Sequence, residues 1–483
     1  MKRKLPFWIL ILLIWVIATL IDRYFWENFS GIPSWDQADY LNSAMDHGRA
    51  LGLLPGGDSW GGLESFLDLS PKIPPLASII NASIIAIAGD DPSQAAWSLS
   101  IWHGLLLFSV ANWGITLRGK SFALLGVAFV SIAPALVQLR TDYVLEMPLT
   151  ASIALSTLFI GKWLHPQTGG KWIQALLAGI TTTISLLIKQ SSLLVFIPAF
   201  IFTIATLTKR NKSTLLQLFA GLAIICIGLL PWIKQNWITF ISGTNRSVFE
   251  SAVKEGDPIL FSIENWIWYL RLVSEQVGIL ILIIGISGII LLLLNIFKKD
   301  IAIKTKYISI DNIFIWKWLI FILFTSWIFT SLSPNKDERY IAPILPFIIL
   351  LISRGWWQWK LWLEAKLHKS EDKYNNLLVT ILIGVVGTLP QVYRSQIQFL
   401  SSLPHGPLQE IIKEAGGGEP KKKKKTLIVI PSTPDLNQHN VSYYGRKNGG
   451  QLVGRQLGNN PNDLLPLLSQ AEIILLAEGE QGS

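Results

Sequence analysis

Repeated apolar runs of membrane-spanning length decide what this chain can fold into. Many of them extend over roughly 17–23 residues, and an α-helix needs about 20 predominantly apolar residues to cross the hydrocarbon core of a bilayer. The chain of 483 residues is 51% hydrophobic and only 15% charged, whereas about 25% of the residues of a typical soluble domain are charged. The sequence therefore predicts a polytopic α-helical membrane protein.

About eleven transmembrane helices are expected from these runs. The first run is about twenty bulky residues long, which exceeds the h-region of a cleavable signal peptide and predicts a true span. The weakest prediction is Ile341–Ile352, because it is short and contains two prolines. The predicted spans are Pro6–Phe25, Ala95–Leu117, Ser121–Gln138, Pro148–Leu164, Ile173–Ile188, Leu193–Leu207, Leu215–Ile233, Val277–Phe297, Ile313–Ser331, Ile341–Ile352 and Leu377–Val392.

Charged residues in the short loops predict the orientation of the chain. If Met1–Lys4 is cytoplasmic, the alternate loops that carry most of the short-loop Lys and Arg also lie inside, as the positive-inside rule requires. Membrane topology then explains the net charge of +9, and no nucleic acid partner is expected. We expect a multi-pass protein of a bacterial inner or plasma membrane, with a cytoplasmic N-terminus and a non-cytoplasmic C-terminal domain.

Composition divides the chain into two predicted domains. Residues 1–392 form the transmembrane domain, with a long non-cytoplasmic loop at residues 26–94 in which "PPLASIINASIIAIAG" predicts a short interfacial or re-entrant helix. Residues 393–483 form a small soluble α/β domain, where "PLQEIIKEAGG" predicts a helix and "TLIVIPS" and "AEIILLAEG" predict buried strands. Lys421–Lys425 are interpreted as a solvated linker, with contact to anionic lipid or phosphate as the alternative.

Acidic and basic residues gather at helix ends on the predicted non-cytoplasmic face. Such a site suits transfer to or from a phosphate, because a carboxylate can act as base on an acceptor hydroxyl while Lys and Arg stabilise a phosphate leaving group. The candidates are Asp36, Asp39, Lys72, Arg140, Asp142, Glu146, Lys189, Lys336, Asp337, Glu338 and Arg339.

Structural roles for the same residues stay open at the level of the sequence. Asp36 could cap the juxtamembrane helix that follows it, Lys189 could extend from its span to the interface, and "KDERY" could form a surface salt-bridge cluster. The six histidines show no metal-ligand spacing, there is no Gly-rich nucleotide loop, and Cys226 is the single cysteine. A nucleotide-dependent enzyme is therefore poorly supported.

Six short motifs follow one another along most of Met1–Val392: "SWDQADYLNSA", "LSPKIPPL", "LRTDYVLEMPLT", "LLIKQSSLLVFIP", "PWIKQNW" and "NKDERYIAPILP". Their order resembles the C-type superfamily of polyprenyl-phosphate-dependent glycosyltransferases, in particular the protein O-mannosyltransferases and aminoarabinose transferases (glycosyltransferase family 39-like). The resemblance implies the C-type glycosyltransferase fold, with Asp36 as the catalytic carboxylate.

The resemblance also implies roles for further residues. Contacts to the donor phosphate are assigned to Lys72, Lys189 and Arg339, and supporting acidic or polar roles to Asp39, Arg140, Asp142, Glu146, Lys336, Asp337 and Tyr340. The family often has Asp-Glu where this chain has Asp36 and Gln37, so the second acidic position is not carried over, and Asp39, Asp142 or Glu146 are candidates to replace it. No cofactor is firmly implied, and a divalent metal stays an open alternative.

The implied activity is transfer of a sugar from a polyprenyl-phosphate donor to an acceptor hydroxyl on the non-cytoplasmic face, with a glycan, lipid or protein as acceptor. Two other classes are alternatives. A lipid-linked sugar transporter or scramblase needs polar groups in mid-span, which are scarce in this sequence. A non-catalytic partner subunit would keep the fold and lose Asp36, which is present.

Overall fold

Helices account for most of the computed structural model, which describes residues 6–28, 31–57, 61–207, 212–297, 311–367, 373–417, 424–457, 461–469, 471–479 and 481. Elements are numbered here in chain order. The helices are α1 (Phe7–Asn28), α2 (Trp35–Ala50), α3 (Leu63–Leu67), α4 (Leu76–Ala88), α5 (Pro92–Ala95), α6 (Trp97–Leu117), α7 (Lys120–Ile132), α8 (Pro134–Thr141), α9 (Glu146–Leu164), α10 (Trp172–Leu186), α11 (Leu193–Leu207), α12 (Lys212–Asn245), α13 (Ser251–Glu255), α14 (Ile263–Val277), α15 (Ile279–Phe297), α16 (Ile313–Ser331), α17 (Leu345–Leu367), α18 (Lys373–Ser401), α19 (Leu408–Glu414), α20 (Gln438–Arg446) and α21 (Pro461–Ser469).

Shorter elements complete the description. Turns of 3₁₀ helix cover Gln190–Ser192, Glu338–Ile344 and Lys447–Gly449, and a π-helical turn covers Arg246–Glu250. The strands are β1 (Lys425–Val429), β2 (Leu452–Arg455) and β3 (Ile473–Leu475). Of the lysine run, Lys421–Lys423 lie outside the described residues, so the linker interpretation stays a prediction.

Membrane-spanning helices form the larger part of the fold. Among the described residues, seven helical segments are long and apolar enough to cross a membrane, and up to nine if each of two bent helix pairs is counted as one span. The bends measure 58° between α7 and α8 and 109° between α14 and α15. Together these helices confirm a multi-pass α-helical membrane protein.

The predicted number of eleven spans is not confirmed. Every predicted span falls on a helix, but two of those helices are not among the seven to nine that qualify. The helix α6 carries polar residues such as His103 and Asn112, which lower its mean hydropathy, and α10 has only 15 residues. A helix of that length rises only about 22 Å, less than the thickness of the hydrocarbon core.

The chain folds as two compact units. The first unit comprises Met1–Leu20, Ile101–Leu139 and Glu146–Gln396, and the second comprises Ile21–Ser100, Arg140–Leu145 and Ile397–Ser483. The long first loop thus belongs to the same unit as the C-terminal residues, although more than 300 residues separate them in sequence. These compact units are defined by packing and not by sequence order, and the predicted domains of residues 1–392 and 393–483 stay a prediction.

Buried tryptophans tie helices of the first unit together. The indole N–H of Trp113 donates to the carbonyl oxygen of Ala154 at 2.8 Å, that of Trp318 to Thr157 at 2.8 Å, and that of Trp356 to Ile281 at 2.9 Å. Each bond satisfies a donor that would otherwise be buried without a partner. The buried indole rings and their hydrogen bonds therefore stabilise the same contacts between helices.

Helices α15 and α17 approach each other closely because glycines lie at their contact. A methyl group added to Gly355 would collide with the carbonyl oxygen of Gly285, and one added to Gly288 would collide with that of Gly355. Small residues at helix contacts let backbones approach in membrane proteins, where apolar burial alone provides little preference for one packing over another. These glycines therefore set the distance between the two helices.

The second unit contains the helices of the first loop and a small sheet. Helix α2 packs against α4 and α20, and the three strands form a parallel sheet in the order β2-β1-β3. Two strands fall on the predicted stretches, whereas β2 and α20 were not predicted. The small C-terminal α/β domain is thereby confirmed, as is a short helix, α4, in the predicted apolar part of the first loop.

Substitution of Gly355 tests the helix contact. We expect Gly355→Ala to lower the free energy of unfolding by at least about 2 kcal/mol, because the added methyl group overpacks against backbone that cannot rotate away. Gly221→Ala is the matched control, since its nearest new neighbour is the carbonyl oxygen of Ala175 at 3.7 Å. Thermal unfolding in detergent, followed by tryptophan fluorescence, measures both. Equal midpoints for the two variants would contradict the close contact.

Candidate active site

The predicted site residues lie in both units, and each group has its own internal geometry. The second unit holds Asp36, Asp39, Lys72, Arg140 and Asp142, and the first unit holds Glu146, Lys189, Lys336, Asp337, Arg339 and Tyr340.

Asp36 lies in the first turn of α2 and is exposed. The N-cap position of this helix is Ser34, whose hydroxyl donates to Gln37 Oε1 at 2.7 Å. Asp36 is thus not the N-cap residue, and the capping role considered from the sequence does not describe its position. A negative charge is favourable near the positive end of the helix dipole, and the side chain is accessible to solvent.

Gln37 and Asp142 are hydrogen-bonded. The amide of Gln37 donates from Nε2 to Oδ1 of Asp142 at 2.8 Å, and Asp142 is buried with 5% of its surface exposed. The residue that stands in the usual second acidic position therefore contacts a carboxylate from elsewhere in the chain. Asp142 is the carboxylate that the structure brings to the first turn of α2.

Arg140 has a buried ionic partner that the sequence analysis missed. Its guanidinium donates to Asp22 from Nε at 2.7 Å and from Nη2 at 3.2 Å, and the two side chains are 3% and 1% exposed. The bond joins the end of α8 to α1, since Asp22 lies within that helix. No sequence signal pointed to Asp22, because a single acid in an apolar run has no spacing pattern.

Asp39 is paired with a histidine of the C-terminal residues. Its Oδ1 lies 3.0 Å from Nδ1 of His439, on α20. Burial opposes ionisation of Asp39, but the hydrogen bond and charge of His439, with the nearby charges of Lys72 and Arg446, hold its pKa below the usual value. The sequence could not identify His439 as a partner, because His439 follows Asp39 by 400 residues. Lys72 also lies close enough for its charge to act on Asp39.

Glu146, Lys189 and Tyr340 come together in the first unit. The ammonium of Lys189 donates to Glu146 Oε1 at 2.5 Å, and Nζ lies 5.6 Å from the centre of the Tyr340 ring. Glu146 is 3% exposed and its second oxygen, Oε2, has no hydrogen-bond partner within the described residues. Three predicted residues from three separate elements thus meet, and the lysine is held by the carboxylate instead of extending freely to the interface.

Asp337 and Arg339 form a local pair. Arg339 Nη2 donates to Asp337 Oδ2 at 2.6 Å, and Asp337 caps the 3₁₀ turn by accepting from the backbone N–H of Arg339 at 2.8 Å. Burial opposes ionisation of Asp337, yet these bonds and the charge of Lys189 keep its pKa below the usual value. Both side chains are about a quarter exposed, at 25% and 23%, so the guanidinium is accessible to a ligand.

Lys336 is turned toward the backbone. Its Nζ donates to the carbonyl oxygens of Ser331 at 2.9 Å and Ser333 at 2.6 Å. Burial lowers the pKa of Lys336 to about 8, and the charge of Asp257 opposes that shift. The contacts brace the loop that carries Asp337 and Arg339.

Metal binding has no cluster to support it in the described part of the chain. No group of three or more His, Cys, Asp or Glu side chains in the described ranges is arranged to hold an ion. The carboxylates of Asp39, Asp142, Glu146 and Asp337 are instead bonded to histidine, amide, lysine and arginine groups, respectively.

The helical bundle, the helical first loop and the small α/β domain together make a C-type glycosyltransferase fold, as the order of the motifs predicted. Residues 72–233 match the family described as dolichyl-phosphate-mannose-protein mannosyltransferase. The fold is similar to ArnT from Cupriavidus metallidurans in the apo state, with 13% identity, a TM-score of 0.59, and coverage of 95% of this chain and 87% of that chain. The fold is also similar to ArnT from Cupriavidus metallidurans bound to undecaprenyl phosphate, with 12% identity and a TM-score of 0.62. That match covers 96% of this chain and 89% of that chain. No curated protein sequence matches the chain.

Removal of the two charges of the buried pair separates a structural from a catalytic role for Arg140. We expect Asp22→Asn to lower the free energy of unfolding by about 3–5 kcal/mol, because it leaves a buried arginine without its partner. The double variant Asp22→Asn with Arg140→Met should regain most of that stability and keep glycosyl transfer. Thermal unfolding and a transfer assay measure the two effects. A stable but inactive double variant would show that Arg140 acts on the substrate.

Proposed function

We propose that this protein is a membrane glycosyltransferase that moves a sugar from a polyprenyl-phosphate donor to an acceptor hydroxyl on the non-cytoplasmic face. The family match over residues 72–233 and the fold support a polyprenyl-phosphate-dependent transferase. The outer face follows from the distribution of positive charge in the short loops. A transporter or scramblase is not favoured, because the likeness is to glycosyltransferases.

Lys189 lies in sequence between residues that line an apolar cavity, and this position carries the proposal. Residues of α9, α10, α11 and α12 line the cavity, which has a volume of about 250 Å³. The lining includes Leu186 and Leu193, on either side of Lys189 in sequence, together with Trp163 at the end of α9 and Ala175 near the start of α10. A cation at one end of an apolar cavity fits a ligand with an anionic head and a hydrocarbon tail. A polyprenyl phosphate is such a ligand.

The cations of the first unit suit a phosphate head group. An ammonium group has three N–H donors, and Glu146 accepts from Lys189 while holding it in place. Arg339 offers a planar fork that matches phosphate oxygens in a bidentate manner, and its partner Asp337 orients it. We assign donor phosphate contacts to Lys189 and Arg339, and to Lys72 by resemblance.

Asp36 is assigned the role of base. It takes the proton of the acceptor hydroxyl as the oxygen forms a bond to the anomeric carbon of the sugar. The bond from that carbon to the phosphate oxygen breaks, and polyprenyl phosphate leaves with its negative charge stabilised by Lys189 and Arg339. A single displacement of this kind inverts the anomeric centre. The hydrogen bond from Gln37 to Asp142 keeps the turn that carries Asp36 in a defined position.

Asp36→Asn tests the proposed base. Because asparagine keeps the shape of the side chain but accepts no proton at neutral pH, we expect transfer to fall by about 10²–10⁴-fold. The variant should purify normally and still bind the lipid-linked donor. Asp39→Asn, which removes a carboxylate already paired with His439, should be milder. Transfer of radiolabelled sugar from the lipid donor is the measurement, and an Asp36→Asn protein with most of its activity would refute the assignment.

Lys189→Met tests the phosphate contact. Loss of a charged hydrogen bond should weaken binding of polyprenyl phosphate about tenfold or more, and Arg339→Lys should weaken it because lysine lacks the fork. Lys254→Met, an exposed lysine on α13, is the matched control.

Lys189→Met also leaves Glu146 buried without its partner, which could unfold the protein by itself. The double variant Lys189→Met with Glu146→Gln removes that charge and should fold normally while still binding the lipid poorly. Tryptophan fluorescence titration with polyprenyl phosphate in detergent measures the affinity. Wild-type affinity in the double variant and in Arg339→Lys would exclude both residues from the phosphate site.

A further inference from the structure

A large polar cavity lies within the second unit, between α2 and the C-terminal residues. Its volume is about 890 Å³, within the range of roughly 300–1,000 Å³ that small-molecule sites occupy. Helix α2 contributes one face, whose members recur every three or four residues: Asp39, Asn42, Asp46 and Arg49. The C-terminal residues contribute Lys424, His439, Arg446 and Arg455.

Positive charge dominates this cavity. Its cations are Arg49, Lys424, Arg446 and Arg455, and its carboxylates are Asp39 and Asp46. Both carboxylates already have basic partners, Asp39 in His439 at 3.0 Å and Asp46 in Arg446. The cavity lining therefore has an excess of positive charge that a ligand can neutralise.

Two arginines of the lining are buried and incompletely bonded. Arg49 and Arg446 are 8% and 9% exposed, and the Nε atom of each has no hydrogen-bond partner within the described residues. Arg49 is fixed in place, since its Nη2 donates to the carbonyl oxygens of Arg446 at 2.6 Å and Gly450 at 3.1 Å. Arg446 is held by Asp46, so both guanidinium groups are fixed in the cavity lining and contribute positive charge to it.

We propose that this cavity binds the acceptor, and that the acceptor is an acidic sugar carrying a carboxylate or phosphate group. The inference rests on the proposed glycosyl transfer and specifies its second substrate. Asp36 precedes Asp39 by three residues on the same helix, a rise of about 4.5 Å along its axis. A sugar bound at the Asp39 end of the cavity therefore presents a hydroxyl near the proposed base. The C-terminal domain is part of the substrate site.

Binding of defined oligosaccharides to the purified full-length protein tests the inference. The probes are tetragalacturonate, its fully methyl-esterified form, which has the same chain without charge, and glucose 6-phosphate. Isothermal titration calorimetry should detect binding of at least one acidic probe, at least tenfold weaker binding of the ester, and weaker acidic binding at high salt. A preference for uronate or phosphate identifies the acidic group. Binding of neither acidic probe, or equal binding of acid and ester, overturns the proposal.

Exposed residues allow the site to be altered without disturbing the fold. The double variant Lys424→Ala with Arg455→Ala removes two cations that are exposed in the cavity lining, and should weaken acidic binding about tenfold or more. Lys413→Ala, an exposed lysine of α19 outside the lining, is the matched control. A loss of affinity in the control equal to that in the double variant would mean non-specific charge attraction and would overturn the site.

Asp36→Asn distinguishes failure of this inference from failure of the proposed function. The variant should bind the acidic probe as the wild type does, because binding does not require the base. If transfer survives in Asp36→Asn while acidic binding stays specific, the assigned base is wrong and the cavity stands. If transfer is lost as expected but no acidic probe binds, the cavity assignment is wrong and the transferase stands.

Discussion

A charge buried in a membrane protein must have a partner, because neither hydrocarbon nor packed helices solvate it. Much of this structure follows from that constraint. Several buried ion pairs join segments that are far apart in sequence and so hold those segments together: Asp22 with Arg140, Glu146 with Lys189, and Asp311 with Arg118 and Arg354. Arg118 follows α6 directly and Arg354 lies within α17, and both guanidinium groups are paired with Asp311.

The same constraint separates the carboxylates by role. Asp142 accepts from Gln37, Glu146 from Lys189 and Asp39 is paired with His439, so each is bonded to a group that orients it. Asp36 differs in being exposed in the first turn of its helix. A base needs access to its substrate, and exposure distinguishes Asp36 from the buried Asp142 and Glu146.

Hydrogen bonds and an ion pair connect the C-terminal residues to α2, the helix that carries Asp36. Arg446 of α20 donates to Asn42 Oδ1 at 2.5 Å and pairs with Asp46, while Arg49 reaches back to the carbonyl oxygens of Arg446 and Gly450. These reciprocal bonds make α2 and the C-terminal residues one packed unit that encloses the polar cavity. Helix α2, which carries Asp36 in its first turn, thus continues as a wall of the proposed acceptor site.

The amino-acid sequence by itself determined that this is a helical membrane protein with a small α/β domain, because long apolar runs mark membrane spans and short apolar runs mark buried strands. The order of motifs also identified the fold and placed Asp36, Lys189 and Arg339 as candidates. The predicted number of about eleven spans is not confirmed, since seven to nine of the described helical segments are long and apolar enough to cross a membrane and α10 has only 15 residues. Only the tertiary structure decided that Asp22 binds Arg140, that Gln37 binds Asp142 and that His439 and Arg446 complete the surroundings of α2. Such partners lie from about one hundred to four hundred residues apart, and no local pattern records a pairing that exists only after the chain has packed.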